Sequence, residues 1–235
     1  KREVNSRRSL RVLLLDMDNT LLGIDMDAFL RRYFALLNEH MEQKFPGRGQ
    51  AFSKDMRRAM RQVIANTRPE LTNGELFWQV MAEGGLFEWG KAAERHVDQF
   101  YRESYQQLQA VTTVRPMAAE IIEWAFGQGL KVVIATNPLY PQVGIEARLA
   151  WAGVPVDQYP YSFVTHFGNV HATKPRTAYY REILEMIGYE AETGLMVGDD
   201  WGNDMVPAAE VGLATFWVVQ GETRPLEADV VDGYG

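Results

Sequence analysis

The pattern of hydrophobic and polar positions divides the chain into three regions. Residues 12–15 form a short apolar run that is typical of a buried parallel strand. From residue 25 to about residue 110, apolar residues recur near the helical period of 3.6, and no segment there predicts a strand. After Pro116, helical segments alternate with short apolar runs. That alternation predicts a parallel sheet with helices on both faces.

Four helices are predicted in the middle region. The first begins at Asp25, a candidate N-cap, and ends before Pro46. The second spans about 53–65, the third opens at a capping box that starts with Thr72, and the fourth spans about 91–108. Because short turns join these helices, we expect them to form a compact bundle.

The last region predicts four further helices and four further strands. The helices are 117–127, 141–151, 177–187 and 203–211, and the strands are 131–135, 162–164, 195–197 and 214–219. The chain is therefore expected to be an α/β protein with a doubly wound parallel sheet and an inserted all-helical domain. We expect a solvated arm at 1–9, a Rossmann-like sheet domain at 10–24 and 113–235, and the helical domain at 25–112.

Composition limits the classes of function. The 235 residues are 46% hydrophobic and 23% charged, as in ordinary globular proteins. A net charge of −7 argues against nucleic acid as the main partner. The chain has no cysteine, which excludes disulfides and thiolate chemistry and fits a cytoplasmic protein. No apolar stretch is long enough for a membrane span, so we expect no membrane partner.

Polar side chains follow the predicted strands at their carboxyl ends. In a parallel sheet these ends lie along one edge, so side chains distant in sequence can converge there. The candidates are Asp16 and Asp18 after the first strand, Thr136 and Asn137 after the second, Lys174 before a helix, and Asp199, Asp200 and Asp204 after a later strand. Taken singly, each has a structural explanation, such as a turn, a solvated lysine or a helix cap.

Phosphoryl transfer is the chemistry that uses this whole set. An attacking carboxylate needs a cation and several donors to stabilise the phosphoryl oxygens. Asp16 would be the nucleophile and a metal ligand, and Asp18 would be the general acid and base. Thr136, Asn137 and Lys174 would bind the phosphoryl group. Asp199, together with Asp200 or Asp204, would complete a Mg²⁺ site, although Asp200 could equally be a helix cap.

The ordered set Asp16-Met17-Asp18-Asn19-Thr20, Thr136-Asn137, Lys174-Pro175 and Gly198-Asp199-Asp200 with Asp204 resembles the haloacid dehalogenase superfamily. The resemblance covers the predicted sheet domain, and the helical insertion resembles the superfamily's helical cap. It implies that Mg²⁺ contacts the Asp16 side chain, the Asp18 backbone carbonyl and Asp199. It also implies a phosphatase acting on a small phosphorylated metabolite, because the dehalogenase branch lacks the acid and base at the position of Asp18.

Several alternatives stay open at this point. A phosphomutase or phosphotransferase would use the same residues, and a phosphate-binding sensor could share the fold. His166 and His171 are either substrate contacts or turn residues. The segment 138–141 contains larger residues than we expect beside a phosphate site, and it could narrow the pocket. Lys174 is expected to matter more for catalysis than for folding, because an exposed lysine adds little stability.

Overall fold

A computed structural model describes residues 9–85, 87, 89–219 and 230–235, and within them the chain forms an α/β fold around a six-stranded parallel sheet. The strands of this sheet are β1 (Val12–Leu15), β4 (Lys131–Ile134), β5 (Phe163–Val164), β6 (Gly194–Gly198), β7 (Ala214–Trp217) and β8 (Gly233–Tyr234). Their order is β5-β4-β1-β6-β7-β8. The predicted arm at 1–9 lies outside the described residues except for Ser9.

β1 lies in the interior of the sheet, between β4 and β6. Its four residues are at most 1% exposed. Leu13 and Leu15 pack into the hydrophobic cluster on one face, and Val12 and Leu14 pack into the cluster on the other face. Because successive side chains of a strand point to opposite faces, a strand covered on both sides must be apolar throughout.

Within its described residues, the helical insertion contains four α-helices and a 3-10 helix. These are α1 (Met26–Lys44), α2 (Gly49–Ala65), α3 (Asn73–Ala82), α4 (Lys91–Arg102) and the 3-10 helix Ser104–Val111. The predicted caps of α1 and α3 are confirmed, since Asp25 accepts a hydrogen bond from the Ala28 amide and Thr72 forms a capping box with Glu75.

A short antiparallel ribbon joins the insertion to the sheet region. β2 (Leu22–Ile24) pairs with β3 (Thr112–Val114), so the chain leaves and rejoins the sheet region at neighbouring points. The sequence analysis did not predict these strands. Each has only three residues, which is too short for a recognisable alternation of polar and apolar positions.

In the part of the chain that the structure describes, four helices belong to the sheet region: α5 (Met117–Gly127), α6 (Gln142–Trp151), α7 (Thr177–Ile187) and α8 (Val206–Val211). A 3-10 turn, Ala191–Thr193, precedes β6, and a π-helical turn, Trp201–Met205, leads into α8. None of the described helices is long and apolar enough to cross a membrane.

Candidate active site

The register of the sheet brings three strand ends together. Leu15, the last residue of β1, pairs with residues at the ends of β4 and β6. Asp16, Thr136 and Asp199 therefore follow three adjacent strands at the same edge of the sheet. This is the edge at which parallel α/β sheets place their ligand sites.

The turn after β1 depends on Asn19. Its φ of 62° lies in the left-handed region, which asparagine tolerates better than most residues. Its Oδ1 accepts a hydrogen bond from the Ile24 amide at 3.0 Å. Asn19 thus reverses the chain directly after Asp18, and its side chain holds the last residue of β2.

Lys174 lies at the centre of the site. Its Nζ donates to Asp16 Oδ1 at 2.7 Å and to Asp204 Oδ1 at 2.5 Å. Lys174 is only 3% exposed, so the expectation of a solvated lysine is wrong. Burial by itself lowers the pKa of Lys174, but the carboxylates of Asp16 and Asp204 raise that pKa above its ordinary value. The ammonium group therefore stays charged.

Asp204 approaches the end of β6 because residue 198 is a glycine. A Cβ atom on Gly198 would lie 2.2 Å from Asp204 Oδ2, a distance that excludes any side chain there. The same Oδ2 accepts a hydrogen bond from the Asp200 amide at 3.1 Å. Asp204 is 1% exposed and is held by the backbone on one side and by Lys174 on the other.

Three carboxylates form a cluster suited to a cation. Ligand atoms of Asp16, Asp199 and Asp204 all lie within 4.8 Å of one another. Burial, followed by the charges of Asp204 and Asp200, raises the pKa of Asp199 to about 6. Burial also raises the pKa of Asp16, against the opposing effect of Lys174. A bound cation would stabilise both carboxylates in their charged form.

The charge balance of the site also fits a divalent ion. Among the described residues, the charged side chains that contact one another here are Asp16, Asp18, Asp199, Asp204, Lys174 and Arg148. Four carboxylates and two cations leave a formal charge of −2, which a divalent cation would neutralise. Carboxylate oxygens are the ligands that Mg²⁺ takes, so the residues present fit that ion.

Asp200 is placed as a helix cap. Its Oδ1 accepts from the amides of Gly202 and Asn203, both at 2.9 Å, and its Oδ2 accepts from the Asn203 side chain at 2.8 Å. The side chain is exposed and is not a member of the cluster of three carboxylates. The sequence left two roles open for Asp200, a helix cap and a metal ligand, and the geometry favours the helix cap.

The loop after β4 is fixed by its backbone. The carbonyl of Thr136 accepts hydrogen bonds from Thr165 Oγ1 at 2.8 Å and from the Tyr179 hydroxyl at 2.7 Å. Thr136 is 2% exposed. The buried Oδ1 of the neighbouring Asn137 has no hydrogen-bond partner among the described residues, so this oxygen can accept a hydrogen bond from a donor on a ligand, whereas a phosphoryl oxygen would have to accept from the Asn137 amide N–H groups.

The two loop histidines make local contacts. His171 Nδ1 lies 2.6 Å from Glu182 Oε1. His166 Nδ1 accepts from the Gly168 amide at 3.1 Å, and burial lowers the pKa of His166. These contacts fit turn residues.

Arg148 on α6 is a site residue that the sequence analysis missed. It is 1% exposed, its Nη1 donates to Asp18 Oδ2 at 2.6 Å, and its guanidinium lies 4.2 Å from the centre of the Tyr140 ring. Burial lowers the pKa of Arg148, while Asp18 and nearby tyrosines raise it to a value above the ordinary one. The sequence did contain one signal for Arg148. It follows Gly144 by four residues and therefore lies on the same face of α6 as Gly144 and Ile145, a face that is otherwise apolar.

Comparison with known proteins identifies the family. The profile of the haloacid dehalogenase-like hydrolases matches residues 10–212, and the chain belongs to this family of hydrolases. No curated protein matches the chain.

Solved structures share the fold. A HAD phosphatase from Thermococcus onnurineus has a TM-score of 0.55 at 18% identity, over 96% of this chain and 93% of that one. A dehalogenase has a TM-score of 0.54 at 16% identity, over 98% and 94%. A Thermotoga maritima protein described as a β-phosphoglucomutase has a TM-score of 0.56 at 16% identity, over 96% and 94%. At such identities the similarity establishes the fold, and the chemistry has to be argued from the site.

Proposed function

We propose that this hydrolase is a Mg²⁺-dependent phosphatase that cleaves a phosphate monoester of a small metabolite through an aspartyl-phosphate intermediate. The observation that carries the proposal is Asp18, a second carboxylate two residues after Asp16 at the same strand end. An alkoxide leaving group must be protonated, whereas a halide leaves without a proton. A carboxyl group beside the nucleophile therefore favours phosphate esters over haloacids.

In the first step, a carboxylate oxygen of Asp16 attacks phosphorus and the ester P–O bond breaks. Asp18, in its protonated form, gives its proton to the leaving oxygen, so that the alcohol departs neutral. Asp18 Oδ1 suits this role because it is buried and has no partner among the described residues, while Oδ2 is held by Arg148. Lys174, Thr136 and Asn137 would hold the phosphoryl oxygens.

In the second step, the Asp18 carboxylate takes a proton from water and the water oxygen attacks phosphorus. The P–O bond to Asp16 breaks, which releases inorganic phosphate and restores both carboxyl groups. Mg²⁺, held by Asp16, Asp199 and Asp204 and, as the family resemblance implies, by the Asp18 backbone carbonyl, would offset the repulsion between nucleophile and phosphoryl group.

The helical insertion would act as the cap over this site. Its aromatic residues reach the sheet region, where the ring of Tyr105 stacks on Trp151 of α6 with centroids 5.2 Å apart. The proposal includes the cytoplasmic location that fits a chain without cysteine.

The experiment measures phosphate release from para-nitrophenyl phosphate in Mg²⁺ buffer. We expect turnover by the native protein, none by Asp16→Asn, and unchanged turnover by Asp98→Asn, which removes an exposed carboxylate paired with Arg102. Substantial activity in a folded Asp16→Asn protein would exclude Asp16 as the nucleophile. A bisphosphorylated sugar formed from a sugar phosphate would indicate the phosphotransferase alternative, and ester binding without turnover would indicate a sensor.

A further inference from the structure

Residues 165–174, which we call the connecting segment, link two of the side chains proposed to hold the phosphoryl group. The segment ends at Lys174, and its first residue, Thr165, donates from Oγ1 to the Thr136 carbonyl at 2.8 Å. Thr165 is fully buried, and the Tyr179 hydroxyl donates to the same carbonyl at 2.7 Å. A displacement of the connecting segment would therefore move Lys174 and would weaken the support of Thr136.

The insertion holds the middle of the connecting segment at the beginning of α3. The Asn73 amide donates to the Val170 carbonyl at 2.9 Å. The Gly74 amide donates to the Phe167 carbonyl at 2.6 Å. The Asn73 side chain donates from Nδ2 to the Ala172 carbonyl at 3.1 Å. Because amides in the first turn of a helix have no partner within that helix, they can bind another segment, and here three carbonyls of the connecting segment accept from two consecutive residues of the insertion.

The Asn73 side chain is better suited to positioning than to stability. It is fully buried, and its Oδ1 has no hydrogen-bond partner among the described residues. A buried amide with an unpaired oxygen lowers the free energy of unfolding compared with a fully paired or an apolar side chain. What Asn73 provides is a donor, Nδ2, that binds the carbonyl of Ala172, two residues before Lys174.

Gly74 allows α3 to approach the connecting segment closely. A Cβ atom on Gly74 would lie 3.2 Å from the Phe167 carbonyl oxygen and 3.4 Å from two atoms of the Phe167 ring. That ring also lies against Phe77 of α3, with centroids 6.1 Å apart. A larger residue at position 74 would therefore push the backbone of the connecting segment away from α3.

We infer that Asn73 is a positioning residue, which holds the connecting segment and thereby places Lys174 and Thr136 for phosphoryl transfer. The inference rests on the proposed function, in which those two residues bind the phosphoryl oxygens. The contact joins the insertion to a part of the chain 99 positions later, so it couples the placement of the insertion to the geometry of the phosphoryl-binding site. A misplacement of about 1 Å can lower a rate about 100-fold, which makes such coupling measurable.

The test compares the native protein with Asn73→Asp, which keeps the shape of the side chain and replaces the Nδ2 donor by an oxygen facing the Ala172 carbonyl. Hydrogen exchange followed by mass spectrometry reports local opening of the connecting segment. We expect exchange at residues 165–174 to be roughly 10-fold faster, as for the loss of one buried hydrogen bond. Calorimetry with inorganic phosphate in Mg²⁺ buffer should show roughly 10-fold weaker binding. The kcat/KM for para-nitrophenyl phosphate should fall about 10- to 100-fold.

Two further variants separate positioning from general stability. Gly74→Ala favours the helix but pushes on Phe167, so it should change all three measurements in the same direction as Asn73→Asp. Ser53→Ala is the matched control, because Ser53 is also buried and donates to Asn38 Oδ1 at 2.5 Å, between α2 and α1 and within the insertion. It should lower the urea midpoint of unfolding and leave the three measurements unchanged. Equal effects of Ser53→Ala and Asn73→Asp on those measurements would overturn the inference.

The same measurements separate the inference from the proposed function. Unchanged exchange and phosphate affinity in both Asn73→Asp and Gly74→Ala, with normal turnover by the native protein, would overturn the inference and retain the proposed function. Phosphate binding that depends on Asn73, in a native protein without turnover, would support the positioning role and exclude the phosphatase. If Asn73→Asp does not fold, the Gly74→Ala protein decides between these outcomes.

Discussion

Replacement of Lys174 by methionine should destabilise the protein strongly when no metal ion is present. The substitution keeps most of the side-chain volume and removes the ammonium that holds two buried carboxylates at 2.7 and 2.5 Å. Asp16 and Asp204 would then be buried beside each other without a cation. Removing one partner of a buried ion pair costs about 3–5 kcal/mol, a large share of a typical stability of about 5–15 kcal/mol.

Urea denaturation followed by circular dichroism measures this effect. With an m-value of about 3 kcal/mol/M, the expected loss lowers the midpoint by about 1 to 2 M in EDTA buffer. Mg²⁺ should narrow the gap, because an ion that binds the native carboxylates stabilises the folded state. The double variant Lys174→Met/Asp204→Asn should recover part of the loss, since it also removes one unpaired charge.

A loss below about 1 kcal/mol for Lys174→Met in EDTA would refute the reasoning, because that is the range of exposed ion pairs. The same result would mean that the buried contacts of Lys174 exchange readily with solvent. Failure of the double variant to recover any stability would show that the loss comes from packing and not from unpaired carboxylates.

Three further predictions concern the metal, the acidic residues and the packing of the insertion. Phosphatase activity should disappear in excess EDTA and return when Mg²⁺ is added. Ca²⁺ should not restore it, because its larger and more flexible coordination shell disturbs the in-line geometry of attack on phosphorus. Full activity in EDTA would exclude a metal-dependent mechanism. Asp199→Ala should weaken Mg²⁺ binding in calorimetry at least 10-fold more than Asp200→Ala, which should instead cost roughly 1 kcal/mol of stability as a lost cap. Equal binding losses would contradict the cap assignment. Gly144→Ala should lower the free energy of unfolding by about 1–3 kcal/mol, because the added Cβ would lie 2.9 Å from Cε1 of Tyr101. Gly127→Ala, whose Cβ would meet nothing within 4 Å, should be neutral or stabilising. Similar effects of the two substitutions would show that close packing between Gly144 and Tyr101 does not contribute to stability.

The elements that carry the site could be predicted because their signals are local. The apolar run of β1, the cap at Asp25 and the capping box at Thr72 each depend on residues within a few positions of one another. The two short strands of the ribbon could not be predicted, because three residues carry too little pattern and their pairing joins positions about 90 residues apart.

The features of the candidate site also fall into those that local sequence predicts and those that depend on tertiary packing. The sequence by itself determined that Asp16, Asp18, Thr136, Lys174 and the Gly198-Asp199-Asp200 segment follow strand ends or precede helices, since parallel strands place such residues at one edge. Only the tertiary structure decided how these groups are used: Lys174 is buried between two carboxylates, Asp200 caps a helix turn, and Arg148 reaches Asp18 across 130 positions. The reason is physical, because residue type and spacing limit where a side chain can lie, whereas burial and partner choice depend on packing between segments distant in sequence.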